Sequence, residues 1–190
     1  MAELFQGGFY DFTSDLSSKD TAYTNLALAP HTDNTYFTDP TGLQMLHLLS
    51  HEEGEGGLST LVDGFQVADV MATSHKVSYD ALRSTTTQSH ASGNDEVGSI
   101  TPTNGNRTVI HRSREQILCD GRFANMKIRW NNSDRGVFRV DHDGKRIDAW
   151  YKAAKIFDSL INSKEYLWEF QLQPGRPLSR SVPESKGLNY

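Results

Sequence analysis

Residues 26–49 read LALAPHTDNTYFTDPTGLQMLHLL, and the pair whose types and spacing could do chemistry is His31 and Asp33. In a strand, residues i and i+2 point to the same face. An imidazole nitrogen and a carboxylate oxygen would then meet at one point inside a sheet sandwich. Two histidines and one carboxylate on one face of an octahedral ion, with open positions opposite, make the non-haem Fe(II) oxygenase site. The open positions are needed because dioxygen and a co-substrate must both reach the metal. H-x-D also arises by chance, and taken alone it more often marks the polar end of a strand.

The other histidines, His47, His51, His75, His90, His111 and His142, show no pairing at metal spacing and read as surface or internally satisfied side chains. His47 falls on an apolar run, where a core histidine is the simpler reading. Cys119 is the single cysteine and has no cationic neighbour in sequence, which makes it an inert thiol and excludes an intramolecular disulfide. The glycines at 54–57 are too polar in surroundings and wrongly placed for a phosphate loop.

The elements that must position these residues follow from hydrophobic period and turn chemistry. GLQMLHLL (42–49) follows a Pro-Thr-Gly turn signal and predicts a buried strand, and LSTLVD (58–63) predicts a second. Residues 64–83 carry apolar side chains at Phe65, Ala68, Val70, Met71, Tyr79 and Leu82, which predicts one or two helices. Residues 84–106 are rich in Ser, Thr, Asn and Gly and read as a long loop. Asp120-Gly121 lies between two β-prone runs and signals a hairpin. In residues 146–163, Ile147, Trp150, Tyr151, Ala154, Phe157 and Leu160 recur at helical spacing, with Asp143-Gly144 as the turn before them. EYLWEFQL (165–172) alternates as a strand and QPGR (173–176) turns after it. Short strands around one long helix predict a mainly β domain with appended helices (α+β), contained in a doubled sheet or barrel-like roll.

At 190 residues the chain suits one domain with a sizeable core. Its net charge of −5 leaves no basic footprint for nucleic acid. No apolar run approaches a membrane span. The opening residues, already aromatic at Phe5, Phe9, Tyr10 and Phe12, read as the interior of a domain with no secretory leader.

Several stretches together are more specific than any of them alone. DTAYTNLALAPHTDNTYF (20–37), GLQMLHLLSH (42–51), GGLSTLVDGF (56–65), IRWNNSDRG (128–136) and LQPGR (172–176) resemble the γ-butyrobetaine and trimethyllysine dioxygenase family in content, order and spacing. That family is of the taurine-dioxygenase type, dependent on Fe(II) and 2-oxoglutarate. HTDNTYF and VDGF put the resemblance on the trimethyllysine side, whose chemistry is hydroxylation of N6-trimethyllysine in carnitine biosynthesis.

The resemblance implies a double-stranded β-helix (jelly-roll) barrel, here incomplete. It implies His31 and Asp33 as the first two iron ligands. Leu46 and Ser59 then line the 2-oxoglutarate pocket. Asp20 and Tyr23 receive the substrate's trimethylammonium group, Tyr10 stands where the family often has a tryptophan of the same cage, and Asn131 binds the substrate's carboxylate end. A quaternary ammonium donates no hydrogen bond, so aromatic faces and a carboxylate are the means of holding it. Without the resemblance, the two tyrosines would read as ordinary half-buried aromatics. Fe(II), 2-oxoglutarate as co-substrate and ascorbate as an accessory reductant come with the family. A small trimethylated amino acid is the implied partner, with no nucleic acid or membrane, a homodimer left open, and an intracellular placement, mitochondrial or cytoplasmic.

The chain departs from the family after the PG turn. There the family carries a distal iron-binding histidine and then an arginine that pairs with 2-oxoglutarate, a role suited to a bidentate fork. Here PLSRSVPESKGLNY holds no histidine, and its one arginine, Arg180, follows no ligand. The expectation is a partial oxygenase domain over residues 1–178, shortened at both ends, and a disordered, non-family tail over 179–190. The chain is then inactive for want of its third ligand, or a binding module that keeps the trimethylammonium cage.

Overall fold

The longest element, an 18-residue helix, organises the core. The structure, a computed structural model, describes residues 27–37, 42–51, 56–92, 99–100, 108–112, 126–138 and 143–181. Its helices are α1 (Gly64–Ser74), α2 (Lys76–Ser84) and α3 (Gly144–Ile161). Its strands are β1 (Leu43–Leu46), β2 (Leu58–Val62), β3 (Ala91–Ser92), β4 (Ser99–Ile100), β5 (Ile110–Arg112), β6 (Met126–Ile128), β7 (Leu167–Gln171) and β8 (Leu178–Ser181).

Each long helix starts where a side chain can satisfy its orphan amides. Asp63 accepts hydrogen bonds from the backbone amides of Phe65 at 2.9 Å and Gln66 at 3.0 Å, which fixes the start of α1. Asp143 does the same for α3 through the Lys145 amide at 3.2 Å. At the other end of α3, the Asn162 side-chain amide donates to the Asp158 carbonyl at 2.8 Å. The apolar stripe of α3, Trp150, Ala153, Ala154, Phe157 and Ile161, is fully buried. It packs against Val67 and Met71 of α1 and Leu82 of α2, with Ile110, Ile128 and Trp130 joining the same cluster. The Trp130 and Phe157 rings lie 4.9 Å apart. Each such large apolar side chain contributes about 1.5–3 kcal/mol on burial.

The strands of the described residues form four two-stranded antiparallel sheets, β1–β8, β2–β7, β3–β4 and β5–β6. Two of these pairings are nested: β2 meets β7 inside the longer excursion that brings β1 to β8. Nested antiparallel pairs of remote strands are how a double-stranded β-helix is wound, and the sheets are arranged like part of one. No barrel closes among the described residues. The fold is mixed α/β with antiparallel sheets, and among the described residues helices of 11, 9 and 18 residues accompany strands of two to five. The core has collected on the helical side.

The predicted helices and the strands at 58–63 and 165–172 are present within a residue or two. The buried strand predicted over 42–49 is corrected. β1 spans four residues and exposes Leu43 and Met45, each 63% accessible, because its one partner among the described residues is the short β8. Regular structure continues past the QPGR turn, where Gly175 adopts φ +79° and Leu178–Ser181 forms β8. Of the expected tail, residues 182–190 lie outside the described residues. So do the Asp120-Gly121 hairpin signal and Cys119.

Candidate metal centre

His31 and Asp33 do not sit in a strand, contrary to the expectation from their spacing. The chain has no regular secondary structure through Thr32 and turns at Asp33–Tyr36, with Asn34 at φ +55°. Asparagine tolerates that left-handed conformation better than most residues. The turn closes through the Phe37 amide donating to the Asn34 carbonyl at 2.9 Å. The two side chains nonetheless converge, with His31 Nε2 3.3 Å from Asp33 Oδ1.

Thr32, between them, anchors the segment. Its amide donates to the Trp130 carbonyl at 2.7 Å, and its hydroxyl accepts from the Trp130 amide at 2.9 Å. Trp130 is buried in the core, so the turn is fastened to the hydrophobic cluster through one residue. The next residue, Asn131, is thereby brought to the same side of the molecule. Its amide donates to Asp134 Oδ2 and its carbonyl oxygen accepts from the Ser133 amide, both at 3.0 Å. Gly136 lets this segment approach residues 88–90 closely, since a Cβ there would stand 3.2 Å from the Gln88 Cβ.

The ring of His31 is oriented by its other nitrogen, which lies 2.8 Å from the Ala29 carbonyl. With Nδ1–H donating to that carbonyl, the protonated imidazolium also donates from Nε2 to Asp33. The hydrogen bond to Asp33 raises the His31 pKa above its ordinary range, against burial, with the Ala29 carbonyl adding to the rise. The same bond to His31 lowers the Asp33 pKa, against burial, and the charges of His31 and Arg180 assist. Burial raises the pKa of neighbouring Asp134, partly opposed by the charges of His31 and His90.

Arg180 is the residue that reasoning from the sequence missed. β8 runs antiparallel to β1 with Arg180 opposite Gln44. Its Nε donates to Gln44 Oε1 at 2.7 Å, and its Nη2 donates both to that oxygen and to Asp33 Oδ2, the latter at 3.1 Å. Each carboxylate oxygen of Asp33 thus faces a nitrogen base or cation. No local signal in the sequence identifies Arg180, because its place depends on register across the whole chain.

The fit to a metal is therefore partial. A 3.3 Å separation is close to the roughly 3 Å between two adjacent ligands about 2.1 Å from a shared ion. Yet no three His, Cys, Asp or Glu side chains gather to hold a metal among the described residues, and a guanidinium already engages one of the two donors. The described residues do not complete the Fe(II) set. Of the remaining predicted residues, Leu46 closes β1 opposite Leu178, and Ser59 lies on β2 opposite Phe170, both half-buried. Tyr10, Asp20 and Tyr23 fall outside the described residues. No described helix is long and apolar enough to cross a membrane.

A nested antiparallel scaffold carrying an H-x-D turn defines a class, and the family model for Taurine catabolism dioxygenase TauD, TfdA family matches residues 2–177. The chain belongs to that family. It is similar to trimethyllysine dioxygenase of Neurospora crassa, 36% identical over 211 aligned residues covering 90% of this chain and 41% of the relative. Mitochondrial trimethyllysine dioxygenase of Homo sapiens is 34% identical over 188, covering 93% and 40%. Human gamma-butyrobetaine dioxygenase is 28% identical over 171, covering 90% and 41%. The chain spans about two fifths of the length of these relatives.

Proposed function

We propose that this chain is a dioxygenase-type domain directed at N6-trimethyllysine, and that the 190-residue chain by itself binds substrate without turning it over. The observation that carries the second half is the Asp33 carboxylate, held between His31 and Arg180 with no third metal donor among the described residues. Members of this class depend on Fe(II) and 2-oxoglutarate for oxygen chemistry, and two donors do not make the three-ligand face that holds such a metal.

What remains to this chain is recognition. Tyr10, Tyr23 and Asp20 are assigned to the trimethylammonium group, where cation–π attraction and one carboxylate replace hydrogen bonds. Asn131 is assigned to the carboxylate end, and Leu46 and Ser59 to the 2-oxoglutarate pocket. The similarity to trimethyllysine dioxygenases at 34–36% identity, against 28% for the gamma-butyrobetaine enzyme, supports trimethyllysine over the shorter betaine.

The test combines turnover and binding. Incubated with Fe(II), 2-oxoglutarate, ascorbate and trimethyllysine, the chain should form no succinate above the blank without protein. Calorimetry without iron should still detect trimethyllysine, and Asp20→Asn should weaken it. Succinate above the blank would overturn the inactivity. Absence of trimethyllysine binding would overturn the recognition role.

A further inference from the structure

Arg180 sits at the candidate metal centre by design of the fold rather than by chance of a mobile side chain. The β1–β8 register places its backbone opposite Gln44, and Gln44 Oε1 accepts from two nitrogens of its guanidinium. One of those nitrogens also donates to Asp33 at 3.1 Å. A divalent cation at Asp33 would need the same lone pairs and the same negative charge. It would also meet the positive charge of a guanidinium that Gln44 prevents from swinging away. Arginine stays charged at any physiological pH, so this competition does not switch off.

We infer that Arg180 is an internal counter-cation that holds the Asp33 carboxylate in the place of a metal's charge and lowers the affinity of this chain for divalent cations. The inference rests on reading His31 and Asp33 as the ligand pair. Arg180 and Asp33 are 26% and 35% exposed, so solvent screens part of the repulsion and the effect belongs at the lower end of what an adjacent charge produces, about tenfold in affinity.

Mn(II) binding to the whole chain, followed by the loss of its free-ion magnetic resonance signal, tests this directly. Arg180→Gln should bind Mn(II) about tenfold more tightly than the parent chain, and Arg180→Lys should gain less because the charge remains. Adding Asp33→Asn to Arg180→Gln should remove the gain. Circular dichroism reports whether each variant keeps its fold. If Arg180→Gln does not, Arg180→Met, which removes the same charge with an apolar side chain suited to a strand, decides and should show the same gain. Unchanged affinity in the folded variant overturns the role of Arg180 alone. A gain that survives Asp33→Asn places the ion elsewhere and overturns the ligand-pair reading itself.

Discussion

Arg180 and Asp33, 147 positions apart in the chain, meet as guanidinium and carboxylate at 3.1 Å. The contact links a strand beyond the PG turn to the H-x-D turn, and it makes Asp33 the shared acceptor of an imidazole and a guanidinium. A carboxylate so placed is an electrostatic fixture of the fold, and stability should register it.

The sign of that contribution follows from the two shifts. The raised His31 pKa stabilises the fold fully below its ordinary value of 6.5, and the contribution is lost as pH rises through the raised value. The lowered Asp33 pKa stabilises fully above 3.8 and is lost as pH falls through the lowered value. The pair therefore contributes most between the two ordinary values. Urea midpoints of the parent chain and His31→Gln, measured from about pH 3 to pH 9, should differ most near pH 5 and converge at either extreme. A difference that ignores pH would contradict the ion pair.

Thr32→Val should detach the H-x-D turn from the core. The Trp130 amide loses its acceptor at 2.9 Å while remaining partly buried, which costs about 1–3 kcal/mol. Thr32→Ser keeps the hydroxyl and should recover most of the loss. Chemical denaturation reads both, and a Thr32→Val variant as stable as the parent chain would show that the hydroxyl contributes nothing.

Phe157→Ala removes a ring that is 1% exposed and packs 4.9 Å from Trp130 at the centre of the helical core. The expected loss is about 3–5 kcal/mol, enough to unfold a marginal domain. By contrast, Trp168→Ala on β7, where the ring is 61% exposed, should cost far less. Comparable losses at the two positions would mean that the core is not on the helical side.

Asp63→Ala should lower stability by about 1 kcal/mol, because the first-turn amides of Phe65 and Gln66 both lose their acceptor. Asp63→Asn retains a side-chain oxygen and should restore most of it. Helicity followed by far-ultraviolet circular dichroism against temperature separates the two.

Local signals were legible wherever one element carried its own instructions. The stripe from Trp150 to Phe157 repeats at the helical period, and Asp143-Gly144 marks the turn before it; Asp63, read as a strand end, proves to cap α1. Gly175 marked its turn. The H-x-D pair was visible by type and spacing, although its backbone was not: the Asn34 turn replaces the expected strand, and Thr32 hydrogen-bonded to Trp130 gave no local sign. β1 looked buried because its composition is apolar, yet burial depends on how many strands and helices flank it.

By itself, then, the amino-acid order determined the helices, the His31–Asp33 pair and the family, since each is written in short-range period or in a chain of spaced motifs. Tertiary structure alone decided which cation meets Asp33. That outcome depends on β8 finding β1 in the register that sets Arg180 against Gln44, across a separation of 136 residues. Such a contact costs loop-closure entropy and is rewarded only once both strands and the turn are in place. A lone arginine in a polar stretch carries no trace of it, because charge pairing is set by distance in space and not by distance along the chain.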